Sequence, residues 1–209
     1  MKDTLFVLDL DGVVYDFLGG VLEYLKNRWG VRINESEVYE FDLARLTDND
    51  AANRDLIAQI TLRDEHENRV NPVLYDEYVK PYPWAEAAIA RLKERGDLAF
   101  CTSRPRGLSN ITRRQMQCAL GDLFGPEVPF TMNANKVKAT QILRRDYRRV
   151  IAFEDNLRQA ERYIQAKIPV YLMKFAYNTQ ARENWWLRLA ENLQEAVNAY
   201  EKSYHEMEV

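Results

Sequence analysis

The feature that most constrains the fold is the alternation of five apolar, strand-like segments with single amphipathic helices. The strand-like segments are residues 5–10, 98–102, 128–131, 150–153 and 170–172. Between them, apolar residues recur at helical spacing, as at Ala85, Ala88 and Leu92. Strands that alternate with helices form a parallel sheet with right-handed crossovers. The sequence therefore predicts an α/β fold with a doubly wound parallel sheet.

Composition is that of an ordinary globular protein. The 209 residues carry a net charge of −3, from 29 basic and 32 acidic side chains. This balance gives no general bias toward nucleic acid or an anionic membrane. The two cysteines, Cys101 and Cys118, form neither a disulfide framework nor a metal-spaced pair. Because there is neither a membrane-length apolar stretch nor a secretory signal pattern, we expect a cytoplasmic protein without a membrane partner.

A long interval separates the first two strand-like segments. It holds more than 80 residues, far beyond the length of a normal crossover. We therefore predict a helical unit over residues 15–82, called the insert below. The core would then comprise residues 1–14 and 83–209.

Further helices are expected inside and after the insert. An apolar stripe runs from Leu18 to Trp29, and residues 53–66 and 73–80 have weaker helical patterns. A last helix, from residue 186 to 200, should pack on the core or on a second copy of the chain. A homodimer is therefore one alternative.

Polar side chains follow the strand-like segments at their carboxyl ends, where open α/β sheets bind ligands. Carboxylates, hydroxyls and a lysine, without histidine or cysteine, suit Mg²⁺ and phosphoryl transfer. One carboxylate can attack phosphorus while another moves the proton. The residues concerned are Asp9, Asp11, Thr102, Ser103, Arg104, Glu154, Asp155 and Asn156, with Lys136 and Lys138 in the first turn of a helix.

Each of these residues also has a simpler structural interpretation. A lone Asp-x-Asp is most often a solvated acidic turn, and a first-turn lysine, which opposes the helix dipole, is usually solvated as well. The clustering of polar groups at several predicted strand ends favours a ligand site.

The chain is similar to phosphatases of the haloacid dehalogenase superfamily in four motifs that occur in the same order. Residues 9–13, Asp-Leu-Asp-Gly-Val, resemble motif I, and residues 99–102, Ala-Phe-Cys-Thr, resemble motif II. A lysine at a helix start resembles motif III, and residues 150–156 resemble motif IV. The resemblance implies a Mg²⁺-dependent phosphomonoester hydrolase that forms an aspartyl-phosphate.

The resemblance also implies roles for the carboxylates. Asp9 would be the nucleophile and a Mg²⁺ ligand. Asp11 would be the general acid and base, with its backbone carbonyl on the metal. Asp155 would complete the metal site, assisted by Glu154.

Phosphate would be bound by hydroxyls and by a lysine. Thr102 and Ser103 follow motif II and would contact the phosphoryl group. Either Lys136 or Lys138 would neutralise charge on the phosphate and the nucleophile. We favour Lys138, because residues 138–143 match a lysine followed by the apolar face of a helix.

The substrate expectation comes from a narrower resemblance, to 5'(3')-deoxyribonucleotidases. It rests on Asp-Gly-Val-Val-Tyr-Asp-Phe at residues 11–17 and on Cys-Thr-Ser-Arg-Pro at 101–105. A late turn, Ala-Tyr-Asn at 176–178, has alanine where the family has proline. The match implies nucleoside monophosphate substrates, with the insert acting as a cap.

Three residues are candidates for substrate binding. Phe17 and Phe41 could stack on a nucleobase, and packing inside the insert is the alternative for both. Arg104 resembles an arginine of polynucleotide kinase-phosphatases, which gives an end-processing phosphatase on nucleic acid as the second expectation. Sugar phosphates and phosphoglycolate come third. A non-catalytic binding protein is least favoured, because no motif carboxylate is missing.

Overall fold

The computed structural model describes residues 2–40, 42–132 and 135–207. The strands are β1 (Lys2–Leu8), β2 (Tyr15–Asp16), β3 (Lys80–Pro81), β4 (Asp97–Thr102), β5 (Phe130–Met132), β6 (Tyr147–Glu154), β7 (Val170–Met173) and β8 (Leu187–Ala190). The α-helices are α1 (Phe17–Trp29), α2 (Asp50–Thr61), α3 (Ala85–Arg95), α4 (Ser109–Leu120), α5 (Lys136–Leu143), α6 (Leu157–Gln165) and α7 (Leu193–Met207). A π-helical turn spans Leu74–Tyr78.

Six strands form one parallel sheet in the order β5-β4-β1-β6-β7-β8. The central strand β1 lies between β4 and β6, with Val7 opposite both Ala99 and Ala152. Its side chains alternate between two apolar clusters, since Phe6 belongs to one and Leu5 to the other. Burial on both faces explains why residues 5–8 of β1 and 150–153 of β6 are apolar. The predicted doubly wound α/β fold is confirmed.

The end of the chain differs from the sequence prediction. A helix was expected from residue 186, but Leu187–Ala190 forms β8, parallel to β7, and α7 begins only at Leu193. Leu187 and Ala190 are buried while Arg188 is exposed. A pattern over four residues is compatible with a helix as well as with a strand. The helix α7 packs on the core through buried residues that include Val197 and Tyr200.

The insert leaves and rejoins the sheet through a two-stranded antiparallel ribbon. Tyr15 pairs with Pro81 and Asp16 with Lys80. Asp16 also caps α1, because its side chain accepts a hydrogen bond from the Gly19 N–H at 2.9 Å. The helix α2 ends at Thr61, earlier than predicted, and the expected helix over 73–80 is a π-helical turn.

No helix within residues 2–40, 42–132 and 135–207 combines the length and hydropathy that a bilayer crossing requires.

Candidate active site

Asp9 lies immediately after the central strand, at its carboxyl end. Its N–H donates to the Phe153 carbonyl at 3.0 Å, which continues the pairing between β1 and β6. Its carboxylate Oδ1 accepts a hydrogen bond from the Leu10 N–H at 2.7 Å. The side chain is 7% exposed, so the backbone fixes a nearly buried carboxylate at the middle of the sheet edge.

Lys136 is the basic partner of this carboxylate. Its Nζ pairs with Asp9 Oδ2 and lies 3.0 and 3.2 Å from the two carboxylate oxygens of Glu154. Burial alone would lower the pKa of Lys136, but the charges of Asp9 and Glu154 raise it above its ordinary value. The ammonium group therefore remains charged although it is buried.

Of the two lysines considered in the sequence analysis, where Lys138 was favoured, it is Lys136 that lies among the acids. Asn135 caps α5 by accepting from the Lys138 N–H at 3.1 Å, so Lys136 is the first helical residue. A side chain there points back toward the helix N-terminus, where the strands end. Lys138 lies two residues further around the helix and is exposed. The capping asparagine was the signal that could have distinguished the two lysines.

Two buried acids, Asp9 and Glu154, and the half-buried Asp155 surround this lysine. Asp9, Glu154 and Asp155 each offer a carboxylate oxygen, and these atoms lie within 4.8 Å of one another. Burial raises the pKa of Asp9 well above its ordinary value, and the Glu154 charge adds to this effect. Burial, reinforced by Asp9, raises the pKa of Asp155 to about 7. Crowded carboxylates with a single ammonium provide the oxygen-rich, negatively charged environment that Mg²⁺ prefers.

Asp155 is held by a turn that follows β7. The Tyr177 hydroxyl donates to Asp155 Oδ2, and the Asn178 side-chain amide donates to the Asp155 carbonyl at 2.8 Å. The same amide donates to the Met173 carbonyl at 2.7 Å. Sequence reasoning noted this turn only as a family resemblance and missed its role in positioning Asp155.

Gly12 allows the first loop to pass close to Asp155. Its φ is +77°, in the left-handed region that favours glycine. A Cβ atom at position 12 would lie 2.5 Å from the carboxyl carbon of Asp155. Both the conformation and the contact therefore require glycine here.

Asp11 and Arg104 form an ion pair at the side of the site. Arg104 Nε donates to both Asp11 oxygens, at 3.0 and 2.9 Å, and Nη2 lies 2.5 Å from Oδ1. The Arg104 side chain is fully buried. Arg104 is therefore not itself part of an exposed basic rim.

The two predicted phosphate-binding hydroxyl residues lie at the end of β4. Thr102 is the last residue of the strand and is buried, and its Oγ1 accepts from the Arg104 N–H at 3.2 Å. Ser103 follows it and is exposed. Both line the same pocket as Asp9 and Lys136.

That pocket has a volume of about 190 Å³ and a two-sided lining. The core side carries the polar groups described above. The insert side carries Phe17, Leu43, Ile60 and Tyr75. The rings of Phe17 and Tyr75 stack with centroids 5.8 Å apart. Phe41, the other predicted stacking residue, falls outside the described residues.

Comparison with known proteins finds similarity in structure alone. No family model and no curated protein matches the sequence. Among solved structures, a haloacid dehalogenase-like hydrolase from Burkholderia xenovorans LB400 superposes with a TM-score of 0.60 at 14% identity, over 97% of this chain and 98% of that one. L-2-haloacid dehalogenase from Xanthobacter autotrophicus gives 0.57 at 12% identity, over 96% and 99%.

A phosphate-bound structure is also similar. CbbY from Rhodobacter sphaeroides, solved in complex with phosphate, gives a TM-score of 0.54 at 16% identity, over 93% of this chain and 96% of that one. These similarities extend over nearly the full length of each chain. The protein therefore has the fold of the haloacid dehalogenase-like hydrolases.

Proposed function

We propose that the protein is a Mg²⁺-dependent phosphatase that hydrolyses nucleoside monophosphates. The observation that carries the proposal is the pairing of buried Lys136 with Asp9 at the end of the central strand. Asp155 and Thr102 face the same pocket. This arrangement combines a nucleophile, a cation and a hydroxyl around a space that can hold a phosphoryl group.

In the first step, a carboxylate oxygen of Asp9 attacks phosphorus and the bond between phosphorus and the ester oxygen breaks. Asp11 gives a proton to that oxygen, which leaves as an alcohol. In the second step, Asp11 takes a proton from a water molecule that attacks the aspartyl-phosphate. Inorganic phosphate leaves and Asp9 is regenerated.

Charge on the transferring group is balanced by the surroundings. Lys136 and the Thr102 hydroxyl are placed to hold the equatorial oxygens of the phosphoryl group. The carboxylates of Asp9 and Asp155, with the backbone carbonyl of Asp11, would hold Mg²⁺. When bound, the ion would supply further positive charge to balance that of the transferring group.

The lining of the pocket supports a nucleoside as the leaving group. In the described part of the chain, the insert residues that line it are aliphatic or aromatic. They offer an apolar surface, with the stacked rings of Phe17 and Tyr75, to whatever is attached to the phosphate.

The insert would act as the cap of this site. Residues 15–82 are attached through the β2–β3 ribbon and cover the strand ends from one side. We assign residues 1–14 and 83–209 to the catalytic core. A cap in this position excludes water from the reacting groups and selects the leaving group.

The proposal is tested by phosphate release from a substrate panel, with and without Mg²⁺. The panel holds deoxyribo- and ribonucleoside 5'- and 3'-monophosphates, a 3'-phosphorylated oligonucleotide and several sugar phosphates. We expect Mg²⁺-dependent release with the highest kcat/KM on mononucleotides, and loss of release in Asp9→Asn. Persistent turnover by folded Asp9→Asn would contradict the nucleophile.

Sugar phosphates are the second candidate, on the basis of a structural neighbour. A CbbY mutant from Rhodobacter sphaeroides was solved with xylulose-1,5-bisphosphate, at a TM-score of 0.54 and 15% identity to this chain. A preference for sugar phosphates in the same panel would select this alternative. It would leave the assigned chemistry in place and contradict the substrate assignment.

A further inference from the structure

The geometry points to a second role for Arg104: we propose that it is a positioning residue, which holds Asp11 for proton transfer and links it to the insert. This inference rests on the phosphatase function proposed above. It differs from the sequence expectation, in which Arg104 contacts substrate directly.

The first observation is that Arg104 engages the whole Asp11 carboxylate. Nε donates to both oxygens, at 3.0 and 2.9 Å, and Nη2 donates to Oδ1 at 2.5 Å. A carboxylate held by several donors of one rigid, planar group has a defined orientation. Asp11 keeps 22% of its side chain exposed, so it is restrained and still accessible from the pocket.

The second observation is that Arg104 is itself fixed from several directions. Its guanidinium carbon lies 5.0 Å from the ring centre of Tyr15 and 4.9 Å from that of Tyr75. Its Nη1 donates to Gln115 Oε1 at 2.8 Å. Burying a guanidinium carries a large desolvation cost. Here the ion pair with Asp11, the hydrogen bonds and the two rings offset that cost.

The third observation concerns where these partners are located. Tyr15 lies in the ribbon that joins the insert to the sheet, and Tyr75 lies in the π-helical turn of the insert. Gln115 is on α4 of the core, and its amide donates to the carbonyls of Tyr75 and Val79 in the insert. The guanidinium that holds Asp11 is thus connected to the insert through a ring and through a hydrogen-bonded glutamine.

The contacts between Arg104 and the insert bear on proton transfer by Asp11. When Asp11 gives its proton to the leaving oxygen it becomes a carboxylate, and the forked donors of Arg104 are oriented to hold that negative charge. Because Arg104 is held by the insert, a movement of the insert over a bound substrate would shift the guanidinium and thereby Asp11.

The test is a double-mutant cycle on the first chemical step. Arg104→Met removes the guanidinium at similar length, Asp11→Asn removes the acid, and the double variant combines them. Single-turnover rates are measured with the best alkyl phosphate of the substrate panel. We expect about a 10²-fold loss for each single variant, as for a lost general acid. Adding Arg104→Met to Asp11→Asn should lower the single-turnover rate by less than about 3-fold.

A second substrate separates positioning from substrate binding. p-Nitrophenolate leaves without needing a proton, so the nitrophenol burst from p-nitrophenyl phosphate reports the first step without general acid catalysis. We expect Arg104→Met to lower this burst rate by less than about 10-fold, which is much less than its effect on the alkyl ester. Arg104→Lys, which keeps the charge but not the forked donors, should restore part of the alkyl ester rate.

Arg148→Met is the control, because it alters an arginine that is 67% exposed at the opposite end of the sheet. Its rates with both esters should equal those of the wild type. The proposal would be overturned if Arg104→Met lowered the rate equally with both esters. It would also be overturned if the rate reduction in the double variant equalled the product of the two single reductions. If Arg104→Met does not fold, as judged by circular dichroism and thermal melting, the same cycle is run with Arg104→Lys. Failure of the phosphatase function itself would appear separately, as inactivity of the wild type.

Discussion

The Nζ atom of Lys136 lies 3.0 Å from Oε2 of Glu154 while it also pairs with Asp9. One buried cation thus serves the candidate nucleophile and its acidic neighbour. Removing a single partner from such an arrangement leaves uncompensated buried charge, which typically costs roughly 3–5 kcal/mol. The pair of lysines on α5 therefore offers a matched test.

Lys136→Met should abolish phosphate release and lower the free energy of unfolding at neutral pH, whereas Lys138→Met should change neither. The physical reason is that Lys138 is exposed while Lys136 faces buried carboxylates. Steady-state phosphate release and urea melts of both variants provide the measurements. Equal effects of the two substitutions would contradict the assignment of Lys136.

Mg²⁺ should stabilise the fold more strongly at about pH 8 than at about pH 5.5. Because the pKa of Asp155 is raised to about 7 in the folded protein, the folded state holds more protons than the unfolded state below that pH. Without metal, stability should therefore decrease as the pH rises toward about 7, and a bound cation should offset this loss.

The measurement is the melting temperature with and without Mg²⁺ across this pH range. Asp155→Asn is the control, and its Mg²⁺-induced shift should be small at every pH. A shift that is independent of pH in the wild type would contradict a metal site at these acids.

Gly12→Ala should destabilise the protein and weaken its response to Mg²⁺ more than Gly30→Ala does. Both glycines have positive φ, +77° and +67°. A Cβ atom at Gly12 would collide with Asp155, whereas nothing lies within 4 Å at Gly30. The control therefore isolates the contact from the backbone strain, and overpacking of this kind costs about 1–3 kcal/mol. Thermal melts at several Mg²⁺ concentrations measure both effects, and equal losses would contradict the close approach.

Gln115→Leu should slow the first step with an alkyl phosphate several-fold and leave the binding of inorganic phosphate unchanged. The substitution removes the hydrogen bond that Gln115 accepts from Arg104 and those that it donates to the carbonyls of Tyr75 and Val79. It keeps the Arg104–Asp11 pair. Single-turnover kinetics and phosphate titration provide the comparison. Gln117→Leu, an exposed change on the same helix, should have no effect. An unaltered rate in Gln115→Leu would argue against a link between the insert and Asp11.

The sheet could be predicted because local patterns determine it. The central strands contain continuous apolar runs, such as residues 5–8 of β1 and 150–153 of β6. Helices with a three- and four-residue repeat lie between the strands along the chain. The strand β8 was not predicted, because a four-residue edge strand with Arg188 exposed shows no distinctive hydrophobic period. Its apolar residues were compatible with the helix that follows.

The site could be predicted only in part, because some of its contacts are not local. Asp9, Asp11 and Asp155 follow strands and Thr102 ends one, and parallel strands bring their carboxyl ends together. The pairing of Arg104 with Asp11 spans 93 positions of the chain, and nothing in either local segment encodes it. The choice between Lys136 and Lys138 depended on a single capping contact, that of Asn135.

The unequal lengths of the strands have a consequence for self-association. The inner strands β1 and β6 have seven and eight residues, whereas the edge strands β5 and β8 have three and four. The unpaired backbone groups of a sheet are all at its edges, where a long strand would act as a template for another chain. Because both edges are short, the sheet offers little backbone for pairing between molecules, and this protects the folded chain against edge-to-edge aggregation.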